Sequence, residues 1–317
     1  MPNFRLAGKR VWVAGHRGMV GSAVVRALAG TDVEILTVDR AEVDLRRQRE
    51  VEDWMRQKRP QAVILAAAKV GGILANATYP ADFIYDNLAI ATNIIHAAHI
   101  GNVEKLLFLG STCIYPKFAE QPIREDALLT GVLEPTNEWY AVAKIAGLKL
   151  AEAHRVQHGH DFISAMPTNL YGPNDNFDLA NGHVLPVLMR RIHEAKMVGA
   201  PAVTIWGTGQ PRREFLHVDD LADAVVFLMK SYSDRPHVNV GTGIDVSILE
   251  LAEAIAEVVG YEGRFDFDRS KPDGTPRKVT DISRLRTLGW QPKVNLREGL
   301  QQTYTWFLNN LGALHVR

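Results

Sequence analysis

The chain has 317 residues, with 36 Lys plus Arg against 36 Asp plus Glu and a formal net charge of zero. That balance excludes a protein built mainly to grip nucleic acid or an anionic membrane, since both need a basic excess. At 46% hydrophobic and 23% charged residues, disorder is excluded as well. About 150 residues per domain predicts two domains or one large one. The lone cysteine, Cys113, excludes an internal disulfide and a multi-thiolate zinc site; it points to a reducing, cytoplasmic setting, and no metal is expected. The apolar run Val11-Trp12-Val13-Ala14 is too short for a signal peptide, and the run 62–68 stops at Lys69, far short of a membrane span.

In chain order, residues 10–14 read as a buried strand that runs straight into glycines. Val24, Val25 and Leu28 then mark a helix over 22–28, and a second strand is expected at 33–38. A polar helix over 47–59 is stopped by Pro60, which has no N–H to continue it. A strand at 62–67, a helix at 87–100, a strand at 105–109 and a long helix at 137–158 follow. Strand alternating with helix predicts parallel βαβ units and an α/β fold with a Rossmann-type doubly wound sheet. After about residue 170 the rhythm changes. Pro186 lies just before an expected helix at 187–196, short strands at 203–206 and 237–240 flank a helix at 221–229, and a last helix spans 248–259. This predicts a nucleotide-binding domain over 1–170, to which some later segments return, and a smaller interleaved lobe over 171–317.

Between the first strand and helix stands Gly15-His16-Arg17-Gly18-Met19-Val20-Gly21, a G-x-x-G-x-x-G loop. One glycine permits the turn, one lets a pyrophosphate approach the backbone, and one lets helix pack on strand. The helix N-terminus supplies free N–H groups for the phosphates. The second strand should end near the adenosine ribose, where Asp39 and Arg40 point opposite ways: a carboxylate suits the 2′-hydroxyl of NAD, an arginine the 2′-phosphate of NADP. Arg17 adds a cation in reach, which tips the expectation to NADPH.

Tyr140 and Lys144 are four apart on one face of the long helix, and Ser111 follows the 105–109 strand at its carboxyl edge. Together these groups can polarise a carbonyl and exchange a proton with it. Free tyrosine has a pKa of about 10. A unit charge about 4 Å away at a dielectric of about 20 is worth roughly 4 kcal/mol, so Lys144 is expected to favour the phenolate.

These features resemble the extended short-chain dehydrogenase/reductase family. Longer stretches sharpen the resemblance to its GDP-L-fucose synthase branch: Gly15 to Gly21, Ala66-Ala-Ala-Lys-Val-Gly-Gly72, Gly110-Ser-Thr-Cys-Ile-Tyr-Pro-Lys117, Pro167-Thr-Asn-Leu-Tyr-Gly-Pro173, Arg213-Glu-Phe-Leu-His-Val-Asp-Asp220 and Lys271-Pro-Asp-Gly-Thr-Pro-Arg-Lys278. It covers about residues 10–308. It implies a bifunctional enzyme that epimerises GDP-4-keto-6-deoxy-D-mannose at C3 and C5 and reduces C4 with NADPH. Ser111, Tyr140 and Lys144 would then serve the reduction, and Cys113 and His183 the epimerisations. Further cofactor contacts are implied at Leu109, Gly110, Lys144, Pro167, Thr168, Asn169, Leu170 and His183, and substrate contacts at Arg191, Trp206, Arg213, Asp273 and Lys278. Family members pair the Tyr140 helix and the 87–100 helix across a two-fold axis, so a homodimer is implied.

Residue chemistry runs the same way. Cysteine and histidine, with pKa values of about 8.5 and 6.5, can trade protons near neutrality on carbons beside a ketone. Arginine forks suit a diphosphate. Two related readings stay open: a GDP-L-colitose synthase, whose substrate lacks the C3 hydroxyl, and a GDP-4-keto-6-deoxyhexose reductase that does not epimerise. A non-catalytic binding protein has no need of the intact serine, tyrosine and lysine.

Overall fold

The structure is a computed structural model describing residues 4–271 and 273–314. The ends of the two expected domains, 1–3 and 315–317, and Pro272 of the Lys271–Lys278 stretch lie outside the described residues.

The first half alternates as expected: β1 (Lys9–Ala14), α1 (Met19–Ala29), β2 (Val33–Leu36), α2 (Gln48–Lys58), β3 (Ala62–Leu65), α3 (Ile73–Thr78), α4 (Pro80–Ile100), β4 (Lys105–Leu109), α5 (Glu138–His158) and β5 (Asp161–Pro167). Then come β6 (Asn169–Tyr171), α6 (Val184–Met197), β7 (Ala202–Trp206), β8 (Arg212–His217), α7 (Val218–Ser231), β9 (Val238–Val240) and β10 (Asp245–Ser247). The chain closes with α8 (Ile248–Val259), β11 (Arg264–Asp268), β12 (Arg277–Lys278), α9 (Ser283–Thr287) and α10 (Leu296–Leu314).

Six parallel strands form the main sheet in the order β2-β1-β3-β4-β5-β9. Successive side chains in a strand point to opposite faces, so each strand feeds two cores. Val11, Val13, Ile64, Leu107, Leu109 and Ile163 pack with residues of α1 and α7. Trp12, Val63, Leu65, Leu106, Phe108 and Phe162 pack with residues of α2, α4 and α5. Burying each such side chain is worth roughly 1.5–3 kcal/mol, which explains why these strands are apolar throughout. From β1 the chain leaves to β2 on one side and the sheet continues to β3 on the other. This is the switch point at whose carboxyl edge a crevice opens.

The second half is interleaved with the first. β9 pairs with β5, and Leu221, Val225 and Met229 of α7 share a core with α1. A third core gathers α6, α8 and α10 against β7 and β8. β8 is the hub of that lobe, pairing with β6, β10 and β12.

Several expected bounds shift for physical reasons. The helix expected from residue 87 begins at Pro80, because a first-turn proline lacks only an N–H that has no partner anyway. For the same reason Pro186 sits inside the first turn of α6 and not before it. The strand β5 was not expected, since Ser164 interrupts its apolar run and Pro167 ends it; the sheet nonetheless buries the whole segment from Phe162 onwards. The terminal helix α10 was not expected either, yet Leu300 and Phe307 are buried in the third core. Among the described residues, no helix is long and apolar enough to cross a membrane.

Glu214 locks the hub. Its fully buried carboxylate accepts hydrogen bonds from the backbone N–H groups of Thr242 at 2.6 Å, Gly243 at 2.7 Å and Thr280 at 2.8 Å, and from Thr280 Oγ1 at 2.7 Å. Exchanging it for Gln turns an NH2 group towards those donors. Glu214→Gln is expected to destabilise the fold by roughly 2–3 kcal/mol, seen as a lower urea midpoint with an unchanged slope.

Candidate active site

The glycine loop adopts the conformation its composition anticipates. Gly15 has φ +90°, and a Cβ there would come within 2.7 Å of the Ala67 backbone. A Cβ on Gly21 would meet Gly15 O at 2.1 Å, so this glycine lets α1 pack onto the loop. At Gly18 the space is open, the nearest atom being 3.5 Å from a built Cβ. Gly18 is also the N-cap of α1, and no side chain occupies the cap. An open cradle beneath uncapped helix N–H groups fits the pyrophosphate of a dinucleotide.

At the end of β2 the two opposed residues are treated differently. Asp39 is engaged by Arg17 and lies 3.3 Å from His16 Nε2. Arg17, expected as a second cation for a 2′-phosphate, lines the cleft and pairs with Asp39 through an exposed guanidinium. Arg40 is exposed on the cleft and makes no ion pair among the described residues. Nearby Arg46 is taken up by Asp44 and, at 3.1 Å, by Asp86.

Ser111, Cys113 and Tyr140 converge at the carboxyl end of β4. Ser111 caps a single 3-10 turn, its Oγ accepting from Cys113 N at 3.2 Å, which fixes the cysteine beside it. The Tyr140 phenol lines the cleft beside Ser111 and Cys113, near enough for both to act on its pKa. Burial is the main influence on this phenol and pushes its pKa well above the ordinary value. The expected drop is therefore absent. The buried Lys144 ammonium explains why: it donates to Leu109 O at 2.7 Å and lies 5.7 Å from the Tyr140 ring centre. Burial also pushes the Lys144 pKa down to about 8.

Two polar side chains reach the Cys113 thiol: Asn137 Nδ2 at 3.5 Å and Lys278 Nζ at 3.6 Å. Sequence reasoning missed Asn137; a polar residue opening the helix that carries Tyr140 was its only signal. Lys278, expected at the substrate, lines the cleft and reaches the thiol from β12, which pairs with β8.

His183 is the N-cap residue of α6 but makes no capping hydrogen bond, so its imidazole is left to the cleft. The residue is exposed at the cleft, and desolvation by the protein packed around its ring holds its pKa below the ordinary value. Trp206 is 54% exposed, with the Arg191 guanidinium 5.1 Å and Lys271 Nζ 5.7 Å from its ring centre. Arg213 lines the same wall. Asp273 is occupied: its oxygens accept from Thr208 N at 2.7 Å and Thr208 Oγ1 at 2.8 Å, clasping the loop after β7.

Ser111, Cys113, Asn137, Tyr140, Lys144, His183, Arg191, Trp206, Arg213, Asp273 and Lys278, with the loop 15–21, Arg40, Leu109, Gly110 and residues 167–170, line one cleft of about 1200 Å³. That exceeds the roughly 300–1,000 Å³ of a single-ligand pocket and suits two large ligands side by side.

A profile of the NAD dependent epimerase/dehydratase family matches residues 11–241. The chain is similar to GDP-L-fucose synthase 1 of Arabidopsis thaliana, 64% identical over 303 residues that cover 95% of this chain and 94% of that protein. It is less similar to GDP-L-colitose synthase of Yersinia pseudotuberculosis, 39% identical over 95% of this chain and 98% of that one. Among solved structures, a GDP-L-fucose synthetase from Naegleria fowleri bound to NADP is 28% identical with a TM-score of 0.89, covering 98% of this chain and 97% of that one.

Proposed function

The chain belongs to the NAD dependent epimerase/dehydratase family, and on that premise we propose that it converts GDP-4-keto-6-deoxy-D-mannose to GDP-L-fucose with NADPH. The observation that carries this reading is the meeting of Ser111, Cys113 and Tyr140 at one point of a cleft that begins at the glycine loop. The 64% identity to a fucose synthase, against 39% to a colitose synthase, favours the C3-hydroxylated sugar.

The cofactor, when bound, supplies the hydride that reduces C4. The loop 15–21 and the N-terminus of α1 would hold its pyrophosphate, and Leu109, Gly110 and residues 167–170, which line the same cleft, would border it. Ser111 and Tyr140 hold the C4 oxygen by hydrogen bonds, which stabilises negative charge there both as an enolate and as an alkoxide. A phenol whose pKa is raised keeps its proton at neutral pH, as a group that must donate to that oxygen requires. Cys113 and His183 exchange protons with the ring carbons. Arg191 and Arg213 take the diphosphate, and Trp206 gives the sugar nucleotide an apolar wall. Asp273 acts through the loop it clasps.

Incubation with the keto sugar nucleotide and NADPH in deuterated water tests the reading. Fucose configuration with deuterium at C3 and C5 supports it. A reduced product without ring deuterium would mean a reductase that does not epimerise.

Arg40 carries the preference for NADPH. Arg40→Ala removes a charge-assisted phosphate contact of about 1.5–3 kcal/mol, so KM for NADPH is expected to rise roughly ten- to hundredfold. Steady-state kinetics with NADH should show no change.

The cofactor domain in this reading is 1–170 together with β9 and α7, the remainder serving the sugar nucleotide. The family resemblance supports a homodimer through α4 and α5, on which Tyr85, Val142 and Val156 are exposed. Its single thiol and the absence of a charge excess support a cytoplasmic site of action without nucleic-acid or membrane partners.

A further inference from the structure

Five histidines gather at the edge of the sheet opposite the cleft, where the last turns of α4 and α5 lie beside the amino ends of the strands. His96 and His99 share a face of α4 at a spacing of three, His154 and His158 a face of α5 at a spacing of four. Gly159, with φ +73°, ends α5 and turns the chain so that His160 comes back beside them. His99 is the centre of the group. Its ring stacks on His158 at 4.3 Å and lies 4.8 Å from His154 and 4.9 Å from His160 between ring centres. None of the five lines the cleft.

Nitrogens converge within this group. One ring nitrogen each of His99, His154 and His160 lies within 4.8 Å of the other two, and His99 Nδ1 is 2.6 Å from His160 Nε2. His154 is buried, and its Nδ1 has no hydrogen-bond partner. A purely structural histidine satisfies a buried nitrogen with a carbonyl or hydroxyl; this one is left facing other imidazoles. Phe162 backs the cluster, stacked on His160 at 4.8 Å.

We propose that His99, His154 and His160 form a binding site for a divalent transition-metal ion, tying the last turn of α4 to the end of α5 and the start of β5. Three imidazoles with no carboxylate or thiolate among them suit zinc, cobalt, nickel or copper and not calcium or magnesium. Metal–nitrogen bonds of about 2.0–2.1 Å place tetrahedral ligands about 3.3 Å apart. The observed nitrogens, 2.6 Å apart for His99 and His160 and within 4.8 Å for the whole group, bracket that spacing. His158, stacked on His99, holds that ring in place.

Titration of the full-length protein with Co²⁺, followed by visible absorption, tests the site. One equivalent is expected to bind with an intense tetrahedral-type spectrum, to be displaced by Zn²⁺, and to raise the melting temperature. His160→Gln and His99→Gln change half-buried rings. Each should weaken binding at least about tenfold and remove the thermal shift. Cys113→Ser should leave both signals unchanged, with no thiolate charge-transfer band in the wild type. Loss of the Co²⁺ signal in Cys113→Ser would place the ion in the catalytic cleft and overturn the proposal. So would binding that both histidine variants retain in full.

Discussion

Tyr140→Phe is expected to lower the rate of C4 reduction by about 10²–10⁴-fold, the usual contribution of a positioned proton donor. Phenylalanine keeps the ring in place and removes only the hydroxyl beside Ser111. Substrate affinity should therefore change little, so the loss falls on kcat, and single-turnover oxidation of NADPH measures it. Deuterium exchange at C3 and C5 should slow as well, since it depends on the same hydrogen bond to the ketone oxygen. The pH profile follows from Lys144. With its pKa pushed down to about 8, the buried amine is charged below that pH and neutral above it. If the positive charge supports the alkoxide-forming step, turnover falls as pH rises through about 8. The stability sign is the reverse: between pH 8 and the ordinary lysine value near 10.5 the unfolded chain binds more protons, so the fold gains stability as pH rises there. An activity limb falling while stability rises separates this group from general alkaline unfolding.

Cys113→Ser should separate the two half-reactions. Serine keeps the size of the side chain, but its hydroxyl is too weak an acid to trade protons with carbon near neutrality. Ring deuteration is expected to fall by about 10²–10⁴-fold. NADPH oxidation should continue, because Ser111, Tyr140 and Lys144 are untouched, and proton NMR of the product should show an uninverted ring. His183→Gln should give the complementary loss on the face its imidazole serves. Retention of full deuteration in both variants would remove these residues from the epimerisation.

Much of this arrangement was legible before folding. The strands 9–14 and 105–109 declared themselves as short apolar runs because a parallel sheet buries both faces, and the glycine loop could be read from what each position must avoid. Tyr140 and Lys144 are a helical turn apart, so their spacing carried their proximity, although not the carbonyl of Leu109 that claims the ammonium. What escaped was long-range. Lys278 reaches Cys113 across 165 residues, and Asp273 clasps Thr208 across 65. No local periodicity encodes such meetings. The same holds for the histidines: three of them fall between 154 and 160, but only the packing of α4 on α5 brings His99 among them. Strand β5 was hidden because its serine and terminal proline imitate a loop, and the ladder to β4 and β9 overrides that local signal.

The return of β9 and α7 to the first sheet has a consequence for how such a protein can change. A chain ended at residue 170 would leave the β5 ladder unpaired on one side and strip the apolar cover from α1. The cofactor half is therefore not a detachable module. A segment ending at residue 170 is expected to be unstable when expressed alone. A change of sugar is expected to come from substitutions within the joined chain rather than from exchange of halves.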